Sequence, residues 1–124
     1  MSYESTLFLC KRKSAKSKSV IQISEFDLGA ICYPDWDLPY HKMLCNLFTE
    51  PLNSTIVVDG ETVDEDKYGD ELKIASVDKV VKYLKSFVRR NEEHRYARWS
   101  LEEIQDTLAD RKDIDKLFFV YFGY

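Results

Sequence analysis

The sequence predicts an α+β fold: one domain over residues 1–124, with a mainly antiparallel sheet of about five strands packed against two or three helices. Three observations predict it. Period-two alternation near the start of the chain marks paired strands. The stretch "ASVDKVVKYLKSFVRRN" carries apolar residues at helical spacing. The closing "KLFFVYFGY" is apolar on both faces of a strand, as an interior strand is.

The first element is a hairpin. In "SYESTLFLC", Tyr3, Leu7 and Leu9 alternate with Glu4, Thr6 and Phe8, which predicts one apolar face. In "SVIQISEFDL", Ile21 and Ile23 alternate with Gln22 and Ser24. The polar "KRKSAKSKS" between them reads as the connecting loop. Pro34 and Pro39 then bracket an irregular segment, and Pro39 suits the first turn of a short helix. Met43, Leu44, Leu47 and Phe48 have helical spacing there, and Pro51 is expected to end it. A second hairpin follows, with Asp59-Gly60 as its two-residue turn between "TIVV" and "ETVD".

Ser76 is a good N-cap for the strongest helix, in which Val77, Val80, Val81, Leu84, Phe87 and Val88 make one apolar stripe. A further helical stretch runs through "EEHRYARWSLEEIQDTLADRK". Ser100 and Glu103 have capping-box spacing, which predicts a break near Trp99.

At 44% hydrophobic and 32% charged, the chain has enough apolar material to offset the entropy of ordering it, so general disorder is not expected. No apolar run approaches the roughly 18 residues that span a bilayer. "MSYESTLFLCKRK" puts its cations after a very short apolar stretch, the reverse of a secretory signal. A cytoplasmic location is therefore expected. The three cysteines, Cys10, Cys32 and Cys45, lack paired spacing and fit reduced thiols.

Charge is unevenly distributed. Residues 11–18 hold five cations and no acid: Lys11, Arg12, Lys13, Lys16 and Lys18. Lysines at loop tips usually keep strand ends soluble, and that reading is preferred to a nucleic-acid grip. Residues 59–71 hold seven acids (Asp59, Glu61, Asp64, Glu65, Asp66, Asp70 and Glu71) against Lys67, a local charge of -6. A calcium loop aligned on Gly69 puts Asp64 and Asp66 at ligand positions, but then places Ala75 where a bidentate Glu is required. The stretch reads as a solvated loop or an acidic docking patch.

Other chemistry is sparse. His41 and Cys45, with Cys32, make only a zinc half-site without the second ligand pair, so no metal and no cofactor is expected. Neither a G-x-S-x-G elbow nor a phosphate-binding glycine loop occurs, and the remaining histidine, His94, reads as an exposed helix start; a non-enzymatic protein is expected. Lys79, Lys82, Lys85, Arg89 and Arg90, followed by Arg95 and Arg98, form a basic helix face. Tyr96 and Trp99 would offer stacking if exposed, but are expected in the core. The net charge of -4 argues against strong nonspecific binding to DNA.

The opening "MSYESTLFL", with "FDLGA", "YGDELKIASVDKVVKYL", "RYAR" and "FFVYFGY", is similar to small phage- and prophage-encoded proteins. The resemblance carries no activity and no site residues. It implies a small accessory protein that binds and modulates a host or defence component. Segregated charge steers protein association and suppresses wrong partners. The expected function is thus a binding protein, an inhibitor of a host or defence protein or an immunity protein against a toxin, docking through the acids of residues 59–71. The alternative is a nucleic-acid-binding module that uses Lys11, Arg12, Lys13, Lys16, Lys18, Lys82, Lys85 and Arg89.

Overall fold

The computed structural model describes residues 2–14, 16–32 and 44–123. In chain order these form β1 (Ser2–Arg12), β2 (Val20–Cys32), β3 (Glu50–Pro51), β4 (Ile56–Val58), β5 (Glu61–Val63), β6 (Lys73–Ser76), α1 (Val77–Arg90), α2 (Arg95–Leu108) and β7 (Leu117–Gly123). The main sheet has five strands in the order β2-β1-β7-β6-β3, and every pairing is antiparallel. It is an α+β fold. The β4–β5 hairpin stands apart from this sheet.

The sheet separates two apolar cores. On one side Leu7, Leu9, Phe119 and Tyr121 meet Val80, Leu84 and Phe87 of α1 and Ala97, Leu101 and Ile104 of α2. On the other side Phe8, Cys10, Phe118, Val120 and Phe122 meet Ile56 and Val58 of β4, with Leu52 and Leu72. The uninterrupted apolar run at the end of the chain is thereby explained. All seven residues of β7 are buried, because the strand is central and both its faces are covered. The same position corrects the reading of β1. A core covers each face of its middle stretch, so Phe8 and Cys10 are buried as Leu7 and Leu9 are.

Helix α1 forms as its sequence dictates. Ser76 is extended at the N-cap and its hydroxyl accepts a 3.3 Å bond from the Lys79 amide, while Val77, Val80, Leu84 and Phe87 are buried. The helix stops at Asn91, whose amide donates to Phe87 and Val88. Helix α2 starts on His94, not on Ser100. Nδ1 of His94 accepts from the Ala97 amide at 3.2 Å, and its ring lies edge-on to Phe87 at 5.1 Å. Ser100 is an interior helical residue, 2% exposed, and its hydroxyl donates to the Asp27 carbonyl of β2 at 3.2 Å. No capping box forms at Ser100, because the helix already runs through it and its hydroxyl has its partner on β2.

Two strands lie where none was expected. β6 occupies "KIAS", immediately before the cap of α1, and β3 includes Pro51. Pro51 is tolerated because β3 is an edge strand, where a missing N–H leaves no neighbour unsatisfied. The predicted helix before it is described only from Leu44, at a helical turn closed by Leu47 N–H to Leu44 and Phe48 N–H to Cys45. Leu44 and Phe48 enter the helix-side core. Pro34, Pro39, His41 and Met43 lie outside the described residues, and Cys32 enters only as backbone at the end of β2.

Candidate functional site

The acidic segment begins at the β4–β5 turn. Asp59 and Gly60 both have positive φ, 52° and 81°, the geometry of the type I′ hairpin turn that Asp-Gly favours. Beyond β5 the chain closes into a small loop. Glu65 bridges Glu71, the Asp66 amide donates to the Asp70 carbonyl at 2.9 Å, and the Leu72 amide donates to Asp64. Inside this loop the Asp66 carboxylate accepts from the amides of Tyr68 and Asp70 at 2.8 and 2.9 Å. Asp66 is therefore a structural acid that mimics a backbone turn. Buried Leu72 and a bond from the Lys67 amide to the Gly123 carbonyl pin the loop to the end of β7.

The other acids point outward. Asp59, Glu61, Asp64, Glu65, Asp70 and Glu71 are all exposed. The fold divides them. Asp59 sits beside Glu25 in a groove between the hairpin tip and β2. Asp66, Asp70 and Glu71 line a larger groove of about 650 Å³ with Cys45, Lys73 and Tyr121. The Cys45 thiol is exposed, yet the groove wall shields it partly from water. That desolvation, with the negative field of Asp70 and Asp66, raises its pKa against a smaller opposing effect of Lys73. It stays protonated at neutral pH, which disfavours nucleophilic chemistry. Cys10 is buried and its thiol is pushed up to about 12. Among the described residues no cluster of three or more His, Cys, Asp or Glu side chains is arranged to hold a metal ion.

The basic residues are dispersed. Arg12 serves the fold: its guanidinium donates to the Leu52 carbonyl at 2.8 Å and the Lys18 carbonyl at 3.2 Å, and lies 5.3 Å over the Phe118 ring. Lys11 approaches Asp113 at 3.7 Å, and Asp113 also takes a two-pronged contact from Arg111. Lys13, Lys16 and Lys18 are exposed. Lys82, Lys85 and Arg89 line a shallow groove of about 550 Å³ on α1.

Register shows that the basic loop and the basic helix ends do not merge. Lys11 pairs with Leu117 at the start of β7, so Lys13, Lys16 and Lys18 lie beyond that end. Ser100 is bonded to Asp27, which pairs with Thr6, which pairs with Phe122. Arg95 and Arg98, within about a turn and a half of Ser100, therefore lie toward the opposite end of β7, roughly 20 Å away at the usual rise per residue. Tyr96 and Trp99 depart from expectation in another way. They are 50% and 49% exposed, not core residues. The apolar stripe of α2 is Ala97, Leu101, Ile104 and Leu108, and the two aromatics lie well off it, Trp99 nearly opposite.

Comparison with protein-family models, with curated proteins and with solved structures returns no match.

Proposed function

We propose that this chain is a non-catalytic binding protein that inhibits or modulates a partner protein, presenting the acids of residues 59–71 to a basic surface. One observation carries the reading: the 64–71 loop is closed by its own backbone and by the Asp66 side chain, so the backbone that carries its exposed acids is shaped before any partner arrives. Preorganised charge loses little conformational freedom on docking and accelerates encounter. The sequence resemblance to phage-encoded proteins supports a host or defence protein as the partner. A toxin neutralised by an immunity protein belongs to the same physical class.

The test is capture from bacterial lysate by wild type and by the triple variant Asp64→Lys, Glu65→Lys, Glu71→Lys, which spares the structural Asp66. A protein retained by wild type and released by the variant is expected, with an association rate that falls as ionic strength rises. Undiminished retention by the variant overturns the proposal. A second reading, nucleic-acid binding, is favoured by the convergence of Lys82, Lys85 and Arg89 on one groove. It requires oligonucleotide affinity that falls steeply with salt and is lost in Lys82→Ser, Lys85→Ser, Arg89→Ser.

A further inference from the structure

Helix α2 carries Tyr96, Trp99 and Glu103 at i, i+3 and i+7, which stacks them on one face. This face overhangs β2, where the Ser100 hydroxyl ties the helix to the Asp27 carbonyl. Tyr96, Trp99, Ser100, Glu103 and Asp27 together line a cleft of about 180 Å³. The two rings meet edge to face, at 86° to each other with centroids 5.8 Å apart, and both line the cleft. Both are half exposed, an unusual cost in water for a Tyr and a Trp side by side. Arg95 and Arg98 are absent from the cleft, and Arg98 is turned back onto the Glu92 carbonyl at 3.2 Å.

We infer that this cleft is a binding site for a cationic head group, the ammonium or guanidinium of a basic side chain on a partner protein. Aromatic faces attract cations through their quadrupole, and carboxylates at the rim add Coulombic attraction and hydrogen-bond acceptors. The volume lies below the usual range for drug-sized ligands and suits one head group. Acidic rim groups repel phosphate, so the ring pair is wrongly placed for stacking on nucleic acid. The site lies over the β2 edge, whereas the 64–71 loop lies against the end of β7 and lines its groove with Lys73 of β6, on the other side of β7 in the sheet order. It stands independently of the acidic-loop proposal.

The test titrates the protein with three-residue peptides centred on arginine, trimethyllysine, citrulline or norleucine, following the Trp99 indole N–H by NMR, assigned through Trp99→Phe. The arginine or the trimethyllysine peptide is expected to shift that resonance at millimolar concentration, and their relative strength identifies the head group. Citrulline and norleucine should leave it in place. Tyr96→Ala should weaken binding about tenfold, the scale of one desolvated cation–π contact. Glu103→Gln, which preserves shape on an exposed helix position, should weaken it by at least about threefold. Equal shifts from the neutral peptides, no shift from either cation, or shifts instead from a single-stranded oligothymidylate each overturn the inference.

Discussion

Arg12 shows how a residue drawn from a charge run can belong to the interior. Removing its side chain strips the Leu52 carbonyl of a charged donor and uncovers Phe118. Arg12→Ala should therefore cost about 1–3 kcal/mol in urea denaturation, whereas Lys13→Ser, Lys16→Ser and Lys18→Ser should each change stability by less than about 0.5 kcal/mol. Leu84, fully buried between α1 and the sheet, should lose about 2–5 kcal/mol as Leu84→Ala. The cysteines give a chemical readout. With Cys10 held at about 12 by burial, iodoacetamide at mildly alkaline pH should leave it unmodified until urea unfolds the chain. Cys45, raised by partial burial and by Asp70, should react while folded but more slowly than a free thiol. Mass mapping of the alkylated peptides distinguishes the two. Asp113 titrates the opposite way: the Arg111 hydrogen bonds hold its carboxyl below the usual range. Its small contribution is present above the ordinary carboxylate pKa and disappears as pH falls through the lowered native one.

At the scale of elements, the β4–β5 hairpin and the β2 edge depend on each other. The Gln22 side-chain amide accepts from the Val57 amide at 2.7 Å and donates to the Val57 carbonyl at 3.0 Å, acting as a peptide group would in a sheet. This pairing holds β4 beside β2, as the Ser100 hydroxyl does for α2 at Asp27. The turn itself relies on Gly60. A Cβ there would meet nothing within 4 Å, so Gly60→Ala should destabilise by about 1–2 kcal/mol through its φ of +81° alone, without steric collision. Thermal melts of Gly60→Ala and Asp59→Asn separate these effects, since asparagine tolerates the left-handed conformation and should retain stability. Ser76→Ala removes the cap of α1 and should cost about 0.5–2 kcal/mol.

For the whole molecule, β7 is the organising element. Like its neighbours β1 and β6 it contributes to both cores, but it alone is buried along its whole length, and its ends separate the lysine loop at Leu117 from the acidic loop at Gly123. For these two loops charge segregation along the chain becomes separation in space, the property on which charge-guided docking depends, whereas Arg95 and Arg98 of α2 lie toward the same end of β7 as the acidic loop. If the acidic loop is the docking surface, charge reversal at Asp64, Glu65 and Glu71 should slow association most at low salt, where the interaction is least screened. Measurement of the association rate across an ionic-strength series checks this.

What the sequence determined by itself was everything set by local pattern. The stripe and cap of α1, the Asp59-Gly60 turn and the interior character of β7 follow from spacing within about a dozen residues, and each stands as read. The acidic and basic runs were equally legible as charge. Tertiary structure decided the rest, because it depends on partners distant in sequence. The four residues of β6 and the two of β3 carry too little pattern to announce a strand, and become one only by pairing with β7 and β6. Ser100 has capping chemistry in any local view, and only β2 offers it the Asp27 carbonyl. Tyr96 and Trp99 are apolar enough for a core, but the face of α2 that packs, through Ala97, Leu101 and Ile104, lies roughly a third to a half of a turn away. Composition supplied the aromatic pair and its neighbouring acids, whereas the crossing of α2 over the β2 edge brought them into one cleft.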